Sequence, residues 1–180
     1  MQGGQNKLFL VSGASGSGKT TIMRSVMDNE LISFTTRQKR QGETEGKDYI
    51  FISKEEFDDL YNNNGLIEWT EYSGNYYGLT REELETKLSQ GDCFFICDVH
   101  GMKQMKRMYD NCISIFIYSE KQDIENRMRL RGDSEENILK RMSTYEDEVF
   151  NLVYYDEVVV NYEGQLEETI QKIKDIVEER

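Results

Sequence analysis

The sequence predicts an α/β protein built on a parallel sheet flanked by helices, and three observations carry that prediction. Continuous apolar runs occur at LFLV (8–11), CFFICDV (93–99) and ISIFIY (113–118), as expected of strands covered on both faces. Stretches with helical spacing lie between and after them, at 81–89, 102–108, 123–130 and 135–149. Strands alternating with helices argue for parallel pairing through crossover helices. Finally, the first apolar run passes through a glycine-rich turn, GASGSGKT (13–20), straight into TIMRSVM.

Taken in order, residues 7–12 read as a buried strand and about 19–28 as the helix after the turn. The segment 33–77 breaks the rhythm and reads as an inserted subdomain. It holds short β-like pieces at 48–52 and 66–72 and many Gly and Asn residues. Its one helix starts at Ser53, with Glu55 and Glu56 placing anionic side chains in the first turn. The core resumes with the strands at 93–99, 113–118 and 158–160. A last helix carries Leu166, Ile170, Ile173 and Val177 as one apolar stripe. The sole histidine, His100, follows a predicted strand, so a Ser-His-Asp triad or a histidine metal cluster has little material.

Composition narrows the class. The 180 residues suit one domain, and 37% hydrophobic with 31% charged is an ordinary folded composition. No stretch approaches the roughly 20 apolar residues that span a bilayer. Residues 1–6 are polar and lack the pattern of a secretory signal. Three cysteines, Cys93, Cys97 and Cys112, lie on or beside apolar runs and read as buried thiols in a reducing cytoplasm. A net charge of −12 speaks against non-specific nucleic-acid binding. Local basic clusters, Arg37/Lys39/Arg40 and Arg127/Arg129/Arg131 with Arg141, suit a small phosphorylated substrate.

GASGSGKT matches G-x-x-x-x-G-K-[ST] with a strand before it and a helix after it. Gly13, Gly16 and Gly18 let the backbone turn its N–H groups toward a phosphate. Ala14, Ser15, Ser17 and Thr21 complete the expected ATP-binding run. Lys19 would reach the β- and γ-phosphates, and Thr20 would hold Mg²⁺. Two stretches of the insert bear on the acceptor. Arg37 and Arg40 offer guanidinium forks suited to a terminal monophosphate, or else form a solvated basic turn. In IEWTEYSGNYYGLT, Glu68 offers a carboxylate to the adjacent N–H donors of guanine, while Tyr76 and Tyr77 are phosphate contacts or packing.

Together these stretches resemble the guanylate kinase family from Lys7 to Val177. The resemblance lies in GASGSGKT, in SFTTRQKRQGETEGKDYIF (33–51), in IEW and GNYYG (67–78), in DVHG (98–101), in RGDSEENILKRM (131–142) and in YYDEVVVN (154–161). It implies a P-loop NTPase core (1–32, 80–125, 150–180), a mixed α/β GMP-binding subdomain (33–79) and a small helical lid (126–149). It further implies that Arg37, Arg40, Tyr49 and Tyr77 hold the GMP phosphate, and that Ser33, Glu68 and Asp98 read the guanine. Thr80 belongs to the same implied pocket. Arg131 and Arg141 match the lid arginines, which with Lys19 and Arg37 form the implied catalytic set; Asn161 matches a residue near adenine. The implied reaction moves a phosphoryl group from Mg-ATP to GMP, and to dGMP, in a cytoplasmic monomer or homodimer.

This chain departs from the family pattern in several places. Ala14 replaces a usual proline, TTRQKRQGE lacks another, the stretch from Lys19 to Ser33 is short, and the lid reads RGDS. Ile96 stands where an acid is frequent, and His100 where glutamine is usual. The alternatives are a non-catalytic binding module and a kinase for another purine monophosphate. An intact Lys19 and Thr20 favour the enzyme, and Glu68 favours guanine.

Overall fold

In the computed structural model, residues 6–40, 42–72 and 74–179 are described; of the motifs quoted above, Gln41 and Ser73 lie outside them, as do residues 1–5. The core sheet is four parallel strands: β1 (Leu8–Ser12), β6 (Cys93–Ile96), β7 (Cys112–Tyr118) and β8 (Glu157–Val160), in the order β6-β1-β7-β8. β1 sits between β6 and β7, with Leu8 opposite both Cys93 and Cys112. Alternate residues of β1 then face opposite layers. Leu8 and Leu10 pack with Met102, Met105 and Phe116; Phe9 and Val11 pack with Ile22, Met23, Ile170 and Ile173. This two-sided cover is why the run is continuously apolar.

The helices on these faces are α1 (Lys19–Val26), α3 (Arg81–Gln90), α4 (Val99–Met108) and α8 (Leu166–Glu179). The second sheet has the order β3-β2-β5-β4, from β2 (Phe34–Thr35), β3 (Ile50–Phe51), β4 (Leu66–Tyr72) and β5 (Asn75–Thr80), with α2 (Lys54–Asn62) against it. The helix expected from Ser53 is α2, and its start is a capping box between Ser53 and Glu56. β2 and β5 were not expected from sequence. β2 pairs antiparallel with the distant β5 and parallel with β3, and Gly78 lets β5 lie close to β4: a Cβ there would lie 2.2 Å from the Glu68 carbonyl oxygen.

Two boundaries also differ from expectation. The helix read over 135–149 is two, α6 (Glu135–Met142) and α7 (Tyr145–Phe150). Between them Ser143 Oγ donates to the Lys140 carbonyl at 2.7 Å and Thr144 Oγ1 to the Arg141 carbonyl at 3.0 Å. Such hydroxyls compete with helix continuation. The strand read over 93–99 ends at Ile96, because Asp98 caps α4 through the Gly101 N–H (2.8 Å) and starts that helix at Val99. With α5 (Lys121–Arg131), α6 and α7 cover the glycine-rich turn, packing Ile124, Met128, Ile138, Met142 and Tyr145 on Ala14. No helix among the described residues is long and apolar enough to cross a membrane.

Candidate active site

The turn 13–18 carries positive φ at Gly13, Gly16 and Gly18. Gly13 has no room for another residue: a Cβ would stand 2.2 Å from the Ile117 carbonyl oxygen. Gly18 enters α1 in the left-handed region with no side-chain cap, whereas α2, α3, α4 and α6 are capped by Ser53, Thr80, Asp98 and Ser134. The first N–H groups of α1 are therefore left without a side-chain cap, and the Ser15 amide of the loop before them donates to a carboxylate, which is the chemistry of an anion cradle.

The cradle is braced from below. Buried Asn161 donates from Nδ2 to the Ser17 carbonyl at 2.8 Å. Ser119 Oγ donates to the Asn161 carbonyl at 2.9 Å, and Arg127 donates to both Ser119 Oγ and that carbonyl. Asn161 thus reaches the loop's backbone in this structure, and Arg127 supports the same spot. Lys19 Nζ donates to the Gly13 and Ala14 carbonyls at 2.7 and 2.9 Å. Burial pushes its ammonium down to about 8, with the Glu148 carboxylate opposing that shift.

Two clefts lie beside the loop and the head of α1. One of about 300 Å³ is lined by Thr20, Ser33, Glu43, Asp48, Tyr49 and Ile96 among others, and so joins the head of α1 to the second sheet. Glu43, on the wall of this cleft, accepts two bonds of 3.0 and 2.8 Å from the Arg37 guanidinium. The Arg40 N–H donates to Glu43 Oε2 at 2.7 Å. Arg37 also lies over the Tyr49 ring at 5.4 Å, and Tyr49 meets Tyr77 edge-on at 6.0 Å. The two bonds from Arg37 and the one from the Arg40 amide hold the Glu43 carboxyl down at about 2. Arg37, Arg40, Tyr49 and Tyr77 are thereby gathered into one neighbourhood around a carboxylate.

The other cleft, about 600 Å³, is lined by Ser12, Gly13, Ser15, Lys19, Ile96, Asp98, His100 and Glu148 among others. Glu68 stands near Asp98, half-buried on β4. Burial first, then the Asp98 charge, pushes its carboxyl up to about 7. Gln104 of α4 donates to the Ile67 carbonyl at 2.9 Å and fixes this strand beside α4.

The expected lid arginines divide. Arg141 Nη1 donates to Ser15 Oγ at 2.8 Å. Arg131, exposed at the end of α5, pairs with Asp133. Thr80 is the N-cap of α3, accepting the Glu83 N–H at 3.1 Å, and Thr21 is exposed on α1. Sequence reasoning missed two residues of the site, Glu43 and Glu148. The GE after the arginine turn was a usable signal for Glu43. Glu148 had none, because its partner Ser15 lies 133 residues away.

With its carboxyl pushed up to about 7, Glu68 is mostly ionised only above that pH, so a ligand held by the carboxylate will bind more weakly as pH drops below about 7. On the other side, an anion held by the Lys19 ammonium will bind more weakly as pH rises past about 8, where Lys19 loses its proton. A pH series from 5.5 to 9 checks both limbs, and the Glu68 limb is identified by its absence from Glu68→Gln.

Comparison with known proteins gives one consistent result. The family model described as guanylate kinase matches residues 5–180. A guanylate kinase of Bartonella henselae is 41% identical over 177 residues, covering 94% of this chain and 79% of the relative. That of Oceanobacillus iheyensis is 36% identical over 178 residues, covering 94% and 85%. The crystal structure of guanylate kinase from Anaplasma phagocytophilum superimposes with a TM-score of 0.74 at 30% identity, covering 99% of this chain and 88% of that one.

Proposed function

The chain belongs to the guanylate kinase family, and on that premise we propose that it is an ATP-dependent kinase transferring the γ-phosphoryl group of Mg-ATP to GMP, and to dGMP. One observation supports this reading: a single cleft is lined both by Thr20, which follows the loop lysine at the head of α1, and by Glu43 and Tyr49, the two residues that contact Arg37. A donor phosphate on the loop and an acceptor phosphate on the arginines would then face each other for in-line transfer.

Transfer between two anions needs positioning and charge neutralisation more than covalent help. Lys19 would move from the Gly13 and Ala14 carbonyls to the transferring phosphoryl oxygens. Arg37 would exchange Glu43 for the GMP phosphate, its fork already oriented, with Arg40, Tyr49 and Tyr77 completing that pocket. Glu68, Asp98 and Ser33 would read the base, with Thr80 at the pocket's edge. Arg141 already stands on the cradle; Arg131 would turn inward from Asp133 to join it. We divide the chain accordingly into a core (1–32, 80–125, 150–180), a GMP-binding subdomain (33–79) and a lid (126–149).

Thr20 is exposed at the head of α1 in an oxygen-lined cleft, which suits a hard divalent cation. Among the described residues no three His, Cys, Asp or Glu side chains converge on a metal position. Thr20 is therefore the residue that would hold Mg²⁺, which supplies charge neutralisation between the phosphates. The free thiols of Cys93, Cys97 and Cys112 fit a cytoplasmic enzyme.

A coupled ADP-release assay over GMP, dGMP, AMP, dTMP and IMP tests the proposal. Turnover of GMP above all others is expected. Saturable GMP binding without turnover would establish the binding module instead, and turnover of AMP or dTMP alone would overturn the guanine assignment.

A further inference from the structure

Ser15 of the cradle is held by two lid side chains of opposite charge. Its N–H donates to Glu148 Oε2 at 3.1 Å, and its Oγ accepts from Arg141 at 2.8 Å. The second oxygen of Glu148 lies 3.0 Å from Thr144 Oγ1, whose single proton it shares with the Arg141 carbonyl. Glu148 also lines the 600 Å³ cleft with Gly13, Ser15 and Lys19, the groups that would face the triphosphate. A carboxylate bonded to a phosphate-loop amide is an anion standing where a ligand's anion belongs.

We propose that Glu148 is an internal competitor for ATP, a carboxylate that takes the Ser15 amide and must leave before the triphosphate seats fully. This rests on the reading of the chain as an ATP-dependent kinase and adds a residue that sets its donor affinity. The acceptor pocket is built the same way, with Glu43 on the Arg37 fork and the Arg40 amide. Lys19 is buried beside the loop as a cation, and Glu148 is the opposite charge that acts on it. When the triphosphate arrives, the same carboxylate becomes a like charge, joined by Asp147 and Asp98 on the cleft wall. Tyr145, one turn before Glu148, stays anchored by its hydroxyl donating to the buried Ser119 carbonyl at 2.9 Å. Loss of the Ser15–Glu148 bond therefore leaves the root of α7 in place, and Arg141 remains beside Ser15 to meet the phosphates.

Calorimetric titration of the full chain with ATP and, separately, with GMP tests this. Glu148→Gln keeps the size and an acceptor for the Ser15 N–H while removing the charge. The ATP Kd should fall roughly three- to tenfold, about 0.7–1.4 kcal/mol, with the GMP Kd unchanged. In steady state the KM for ATP should fall without a rise in kcat. Should that variant fail to fold, Thr144→Val frees the second carboxylate oxygen and should move the ATP Kd in the same direction by less. Unchanged or weaker ATP binding in the folded variant overturns the proposal and makes Glu148 a support of bound nucleotide. A wild-type chain that does not bind ATP at all overturns the kinase reading itself, a distinct result.

Discussion

Replacing Lys19 with alanine will lower kcat by about 10²–10³-fold, the loss expected when one preorganised donor to a developing oxyanion is removed from a water-poor site. The ammonium is held by two backbone carbonyls of its own loop, 2.7 and 2.9 Å away. It is therefore delivered to one place rather than sampling solvent, and no other lysine lines either cleft. Alanine leaves the Gly13 and Ala14 carbonyls free for water, so the fold should survive; circular dichroism and a melting curve check that. Activity within tenfold of wild type would mean that the cradle does not carry the donor phosphate.

Glu68→Gln will raise the KM for GMP by about 10²-fold and leave that for ATP within about twofold. A carboxylate offers acceptors to both guanine donors, and an amide turns one acceptor into a donor facing a donor. Losing a charge-assisted hydrogen bond costs about 1.5–3 kcal/mol, before the cost of the mismatched pair. Steady-state kinetics with each substrate varied in turn separates the two constants, and equal losses for both would point to damaged folding instead. Stability should move the opposite way. The folded carboxyl has its pKa raised to about 7 from 4.5. Its contribution to stability is full below about pH 4.5 and declines as pH rises through 7. The glutamine variant should accordingly melt above wild type at pH 8 and show no such gain at pH 5. A binding carboxylate kept beside Asp98 at the expense of stability is the expected signature of a functional site.

What could be read from the chain was local. LFLV gave a two-sided strand because its four side chains alternate between two covered faces. GASGSGKT gave a cradle because positive φ at Gly13, Gly16 and Gly18 is a property of those residues and their immediate neighbours. Ser53 and Glu56 announced α2 because a capping box closes within three residues. The arginine turn and Glu68 were legible as chemistry, since the number and direction of their hydrogen bonds follow from residue type.

The rest depended on partners that no local pattern names. β2 and β5 pair across some forty residues, and nothing in FT or GLT announces which strand will lie alongside. The helix read over 135–149 broke because two hydroxyls turned back on Lys140 and Arg141, a choice between bonds of similar strength. Asp98 was legible as an acid at a strand end, but its capping of α4 beside Glu68 came only with the packing of α4 on β4. By itself the sequence determined the nature of the chemistry on offer: a glycine-rich loop with its lysine, an arginine turn and an acid, Glu68, on a strand of the insert. The tertiary structure alone decided which charges stand opposite one another, Glu43 on Arg37 and Glu148 on Ser15. The physical reason is that hydrogen-bonding capacity is intrinsic to a side chain, whereas electrostatic pairing depends on distances set by the packing of the whole fold.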